Sequence, residues 1–431
     1  MIKRILPVIV LLLLTIRVTA QSLDPVADFP VEFKDRAMEH VTRICSFGER
    51  VAGTKAAAKT LNYIEQEFRK SGLEIERDTF YYSSFEAKKI VLKIDGKTLK
   101  PRQLILNPYS GKIDHGGSFL LFYPDSSLAR QMMQDMKNQI IVTRDPADYY
   151  QLSYRSPKAI LVLEKADFDA LAESGKNHLI IFQFSGKIKK FQSVNLAGTL
   201  KPLHPDTGEI LLSAHWDSFN SVGADDNASG LATLLELTKY FSQRRNELTT
   251  TLKFVAFGAE EMGTLGSVSY VDHHPGELKH CKLMFNMDCV SGLRDIYVDL
   301  TGKVENISPV KGIIKEDLYF RNKALRGKTG NWMWIEDYPM ASDVPGWLRQ
   351  DVVDVCNSLN TKINQVSGIG SDHQAFSQAG IPCTSITIDN QVENHTPADT
   401  PEKVHPEGMW IAGRIAAGVV VKVLKGSTGN K

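Results

Sequence analysis

From Asn195 onward, largely apolar runs recur through the chain at 195–200, 210–214, 252–257, 282–287, 296–300 and 384–388, several of them separated by helical periodicity. Runs of this kind have no polar face to offer solvent, so each needs cover on both sides. Their alternation with helices predicts an α/β fold with a mainly parallel, mixed sheet flanked by helices on both faces, a three-layer sandwich. In such sheets ligands bind beyond the carboxyl ends of the strands. The polar residues that directly follow each run are therefore the first candidates for function.

The rest of the chain adds smaller pieces. With 431 residues, 42% hydrophobic content and a net charge of +1, it can bury a substantial core in more than one domain, and it carries no charge excess suited to nucleic acid. Residues 1–20 combine Lys3 and Arg4 with the apolar run Ile5 to Ile16 and end Val18-Thr19-Ala20, the three parts of a cleavable secretory signal. That run falls short of the roughly 20 residues a membrane span needs, and no cysteine lies near the cleavage point to take a lipid. A secreted or periplasmic protein without a stable membrane anchor is expected.

Residues 21–84 read as the first part of the main domain, 85–190 as a smaller inserted domain, 191–425 as the second part and 426–431 as a tail. Helices are predicted over 35–45 and after the N-cap candidate Thr54, where Ala57, Leu61, Ile64 and Phe68 share a face and Gly72 ends the run. Strands are predicted at 73–81 and 89–94, with Asp95-Gly96 as a tight turn. Within the insert, short strands at 119–123, 140–143, 159–164 and 179–184 alternate with helices near 127–137 and 167–173. The last helix, 407–424, is apolar most of the way round but contains Arg414, which makes it a buried core helix. Five cysteines leave at least one unpaired, and none shows zinc-ligand spacing. Cys281 and Cys289, on one strand, would stand roughly 26 Å apart, too far to pair.

The polar residues after the apolar runs form a set. His215 and Asp217 end the second run, the turn Gly223 to Asp226 carries Asp225 and Asp226 toward a helix starting near Asn227 or Ser229, Glu260-Glu261 follow the third run and Asp288 the fourth; His395 lies in a polar loop after the last. Imidazoles and carboxylates together suit zinc-like ions. Alone, His215 reads equally as a core histidine, and Asp225-Asp226 as an acidic helix start. Gathered together, His215, Asp225, Glu261, Asp288 and His395 would serve two ions if one carboxylate bridges them. Three carboxylates and a shared hydroxide then neutralise two Zn²⁺, which matters because unbalanced charge in a partly buried site is costly. Glu260, beside Glu261 but not required as a ligand, fits a general base. Asp217 could fix the His215 tautomer, with Asp372 as a further supporting carboxylate.

At this point the chain resembles the co-catalytic zinc exopeptidases, the group that contains bacterial leucyl-type aminopeptidases, plasma glutamate carboxypeptidase, glutamate carboxypeptidase and glutaminyl cyclase. The matching stretches are His215-Trp216-Asp217, GADDNASG at 223–230, FGAEEMGTLGS at 257–267, NMD at 286–288, SDH at 371–373 and NHTPADT at 394–400, in matching order. The likeness covers about 35–80 and 196–424. It implies that Asp225 bridges the ions, that His215, Glu261, Asp288 and His395 complete the two sites, and that an unusual, cis peptide bond follows Asp225. It also implies that the insert is similar to a protease-associated domain.

The expected protein is a secreted dizinc aminopeptidase acting on peptides, with Glu260 as base. A carboxypeptidase or dipeptidase of the same group is the alternative; glutaminyl cyclase is disfavoured because its turn reads G-A-T-D where this chain has GADD, and a metal-free receptor ectodomain because every ligand position is filled. Of the three formal sequons at Asn227, Asn306 and Asn394, the two inside the metal loops, Asn227 and Asn394, read as chance matches; the histidines at 273, 274 and 280 read as a solvated loop, and Trp332 and Trp334 equally as pocket or core.

Overall fold

The computed structural model describes residues 23–100, 103–106, 112–117, 120–121, 140–143, 159–174, 179–206, 208–300, 344–366, 369–390 and 394–426. The signal segment, the helix expected at 127–137, the two tryptophans at 332 and 334, the sequon at Asn306 and the end of the tail lie outside them.

Fourteen strands are described: β1 (Glu74–Ile94), β2 (Lys97–Leu99), β3 (Gln103–Leu106), β4 (Lys112–Gly117), β5 (Leu120–Leu121), β6 (Ile140–Thr143), β7 (Ala159–Val162), β8 (Ile180–Leu200), β9 (Glu209–His215), β10 (Thr251–Phe257), β11 (Cys281–Met287), β12 (Ile296–Asp299), β13 (Asn364–Val366) and β14 (Cys383–Ile388). The α-helices of six or more residues are α1 (Phe33–Cys45), α2 (Lys55–Lys70), α3 (Lys165–Glu173), α4 (Gly230–Ser242), α5 (Leu265–His273), α6 (Gly346–Ser358), α7 (His373–Gln378) and α8 (Pro406–Leu424). Thr54 caps α2 as expected, its Oγ1 accepting from the Ala57 N–H at 3.1 Å, a contact worth about 1 kcal/mol.

The main sheet runs β13-β12-β14-β11-β9-β10-β8-β1-β2. Its centre, β14-β11-β9-β10, is parallel, and antiparallel strands close it on both sides: β12 against β14, and β8 against β10. Alternation within the central strands sorts the core. Ile210, Leu212 and Ala214 pack with Phe254, Phe285 and residues of α1, α4 and α8, while Leu211, Val255, Phe257 and Met284 pack under α5 and α7. The result is the three-layer α/β architecture read from the alternation.

One difference concerns the insert. The two strands expected at 73–81 and 89–94 are a single strand, β1, paired antiparallel with β8 from Glu74↔Thr199 to Ile94↔Ile180. The expected boundaries at 85 and 190 fall inside this ribbon. Pairing with β8 carries β1 across this stretch, with one register shift between Ala87 and Lys89. Beyond the ribbon, β3-β7-β6-β5 make a second, four-stranded sheet, and Leu92, Leu99, Val142, Leu161, Phe168 and Phe182 form a core of their own.

α8 is buried along most of its length, and Arg414 reaches out to donate to the Pro25 and Val26 carbonyls. Among the described residues no helix is long and apolar enough to cross a membrane. All five cysteines are unpaired. His273 and His274 close α5 rather than floating free: His273 Nδ1 lies 2.5 Å from Asp78 Oδ1, and His274 stacks on Tyr270.

Candidate active site

β9 lies at the centre of the sheet, with β10 on one side and β11 on the other, so the chain crosses over β9 between them. That crossover is a switch point, where the carboxyl ends of parallel strands open a crevice. His215 is the last residue of β9 and pairs with Phe257, the last of β10, from which the loop bearing Glu260 and Glu261 departs. On the other side Asn286 stands opposite Ser213, a register that brings Asp288 level with His215. The loop after β14 carries His395.

The side chains converge. His215 Nε2 lies 3.2 Å from Asp226 Oδ1 and 3.3 Å from Asp288 Oδ1. His395 Nε2 lies 3.1 Å from Asp226 Oδ2 and 2.8 Å from Glu261 Oε2. Asp226 thus stands between the imidazoles with one oxygen toward each.

The motif reading put Asp225 in this central position, and the structure places Asp226 there instead. The Asp225 carboxylate is turned away, accepting from the Ser291 N–H at 3.2 Å and the Ser291 hydroxyl at 2.6 Å. Asp399, from the NHTPADT stretch, receives the backbone N–H groups of both Asp225 and Asp226, at 2.7 and 3.2 Å. With the turn fixed this way, only the second aspartate projects into the crevice. The cis peptide bond is likewise one residue later than expected, between Asp226 and Asn227. Asn227 is itself buried, its amide donating to the Met287 carbonyl and accepting from Gly230 N–H, which suits a structural asparagine rather than a glycan acceptor.

Supporting contacts hold the other groups. Asp217 Oδ1 lies 3.5 Å from His215 Nδ1, and its two oxygens accept the N–H groups of Glu260 and Glu261 at 3.1 and 3.2 Å. Ser371 donates to Asp288 Oδ2 at 2.5 Å and receives the Asn286 amide at 2.8 Å. The Phe219 ring stands edge-on to His395, with centroids 5.6 Å apart.

Burial and crowding set the electrostatics. Burial, with Asp226 adding, pushes Glu261 up to about 7 against the pull of His395. Glu260 is driven well above the usual carboxylate range, by burial first and then by Asp288, Asp372 and Glu261. Asp372 itself rises to about 7, mainly through burial, and burial carries Asp225 to about 8. Burial opposes the charged forms of His215 and His395 too, yet the facing carboxylates outweigh it and hold both well above the ordinary range. Asp226 moves the other way: against its burial, the two imidazoles hold it far below the usual value.

The cluster is rich in buried carboxylate and, apart from its imidazoles, short of positive charge, a condition divalent cations relieve. The donor atoms of His215, Asp226 and Asp288 lie within 4.8 Å of one another, as do those of Asp226, Glu261 and His395. Glu261 Oε1 is buried without a hydrogen-bond partner. Nitrogen and oxygen donors in these numbers fit zinc.

One residue that organises the crevice gave no signal in the sequence. Arg50 is fully buried. Its guanidinium donates to the carbonyls of Trp216 at 2.6 Å, Gly223 at 3.1 Å and Asp217 at 3.4 Å, and to that of Val222. It therefore satisfies carbonyls at both ends of the connection between His215 and Asp226. Arg50→Met leaves these carbonyls without their donors, so a loss on the order of 2–4 kcal/mol is expected. Urea unfolding of the metal-free protein checks it, and a change below about 0.5 kcal/mol, the range of an ordinary surface substitution, would show that the loop finds other donors.

Residues 195–420 match the sequence model of peptidase family M28. The chain belongs to that family, and with it to the zinc-dependent exopeptidases. Among its relatives, aminopeptidase YwaD of Bacillus subtilis is 25% identical over 98% of this chain and 94% of its own length. A glutamate carboxypeptidase 2 homologue of Caenorhabditis elegans is 28% identical over 49% of this chain, which spans 26% of that relative. The solved structure of BSAP, a zinc aminopeptidase from Bacillus subtilis, superposes with a TM-score of 0.62 at 20% identity, covering 92% of this chain and 96% of its own, a likeness of fold.

Proposed function

We propose that the protein is a secreted aminopeptidase that binds two zinc ions and removes amino-terminal residues from peptides. The observation that carries this reading is the position of Asp226, whose two oxygens each face one imidazole of a different donor triad. His215 and Asp288 would hold one ion and His395 and Glu261 the other, with Asp226 shared. Zinc held there would polarise a peptide carbonyl and make a water molecule acidic enough to attack it near neutral pH.

The chain's own residues do the rest. Glu260 takes the proton from the attacking water and returns it to the leaving amine. Asp217, accepting both N–H groups of the glutamate pair, sets the direction of the Glu260 side chain and lies beside the outer nitrogen of His215. Ser371 orients the Asp288 carboxylate. The 85–190 segment supplies none of these groups, and its proposed part is to select peptides by size. Support for cleavage at the amino end comes from the full-length likeness to YwaD, an aminopeptidase; support for export comes from the signal-like residues 1–20.

A peptide panel tests the reading. Free, N-acetylated and C-amidated versions of one peptide are incubated with the enzyme and both ends followed by mass. Stepwise loss from the amino end of the free and amidated peptides, with the acetylated one inert, is the expected result. Release of carboxyl-terminal residues from the acetylated peptide at a comparable rate would move the protein to the carboxypeptidase branch.

A further inference from the structure

The loop that carries Glu260 and Glu261 is pinched at its neck. A β-carbon on Gly266 would lie 2.2 Å from the Gly258 carbonyl oxygen, and one on Gly258 would lie 2.5 Å from Ser193 Oγ. Glycine at 266 lets the two ends of the loop meet so closely, and glycine at 258 lets the loop start flat against Ser193 and the Trp216 ring. Across this neck lies the side chain of Asn195, fully buried on β8. Its Oδ1 accepts from the Gly258 N–H at 3.2 Å, and its Nδ2 donates to the Gly266 carbonyl at 2.9 Å.

The orientation of that amide is set from behind. Asn195 Nδ2 also donates to Asp78 Oδ2 at 2.8 Å on the neighbouring strand β1, and Asp78 Oδ1 is 2.5 Å from His273 Nδ1. An ionised carboxylate can only accept, so it selects the amide's NH₂ end. A flipped amide would set N–H against the Gly258 N–H and oxygen against the Gly266 carbonyl. Inside the neck, Gly263 and Thr264 both donate to the Glu260 carbonyl at 2.7 Å, and Ala259 and Thr264 hold left-handed φ of 55° and 54°. Non-glycine residues persist in that region where their surroundings over-determine them.

We infer that Asn195, oriented by Asp78, is a positioning residue for the exopeptidase reaction, because it clamps both ends of the loop and so sets where the Glu260 carboxyl stands against the groups on β9 and β11. The inference rests on the proposed role of Glu260. Displacement of a catalytic group by about 1 Å can cost 10²-fold in rate, even from a change remote from the chemistry.

The test uses Asn195→Ala and Asp78→Asn in the full chain, with Thr60→Val as a control that removes a buried hydroxyl bonded to Ala56 O on α2. Amide exchange over 258–266 is followed in chelator-treated protein, and kcat and KM in zinc-loaded protein. In Asn195→Ala the loop is expected to exchange at least about tenfold faster and kcat to fall about 10–100-fold, with KM changed less than about threefold. Asp78→Asn, whose amide partner can turn over, should show the same pattern more weakly, so the clamp is still tested if Asn195→Ala does not fold. Thr60→Val should lose stability and keep its kcat. Wild-type exchange over the loop in both variants, or a fall in kcat no greater than that of Thr60→Val, overturns the inference. A wild-type enzyme that cleaves no peptide would instead overturn the proposed function, and the exchange result would still report on the clamp.

Discussion

Asp226→Asn is expected to lose zinc and activity together, whereas its neighbour Asp225→Asn is expected to keep its zinc. Asp226 stands within 3.2 Å of both imidazoles, so its charge serves both donor triads at once. Losing only a ligand's supporting hydrogen bond typically costs roughly 10–100-fold in metal affinity; removing the shared carboxylate should cost well beyond that. Asp225→Asn, in contrast, still offers an oxygen to Ser291, and Asp225 belongs to neither donor triad, so both triads stay complete. Zinc per chain after dialysis separates the two. Loss from Asp225→Asn with retention in Asp226→Asn would return the shared position to the residue the motif first suggested.

The second large effect separates the adjacent glutamates. Glu260→Gln leaves both donor triads intact, so zinc content should be unchanged while turnover falls by roughly 10² to 10⁴, the usual cost of losing a general base. KM should move little, because ground-state binding is retained. Glu261→Gln removes a group 2.8 Å from His395 and one of the three acidic donors, so zinc is lost from at least the His395 side. Zinc analysis alongside kcat for each variant decides the matter. If Glu260→Gln loses zinc and Glu261→Gln does not, the roles are exchanged.

Much of this architecture was legible in the chain because it follows from local constraints. Apolar runs alternating with helices demand a sheet covered on both faces, and polar residues just past those runs must lie along one edge of it. The same logic singles out His215, Glu260, Glu261 and Asp288. Strand order was not legible, since nothing local says that the chain steps over β9 between β10 and β11. Nor could spacing decide between Asp225 and Asp226. The choice depends on Asp399 and Ser291, which reach the turn from 174 and 66 residues away. Arg50 and Asn195 were invisible for the same reason: each is a single polar residue whose partners are carbonyls and amides in distant loops. The long strand β1 reads as two in the sequence because no clear apolar alternation runs through 82–88, whereas what sustains the strand there is its pairing with β8.

Sharing of Asp226 between two zinc ions at the carboxyl edge of β9 would leave a direct crystallographic signature. Zinc-edge anomalous diffraction from crystals of the zinc-loaded enzyme tests it most directly. Two peaks are expected, one flanked by His215 and Asp288 and the other by His395 and Glu261, with the Asp226 carboxylate between them. A single peak in fully active enzyme, or two peaks bridged by Asp225, would contradict it.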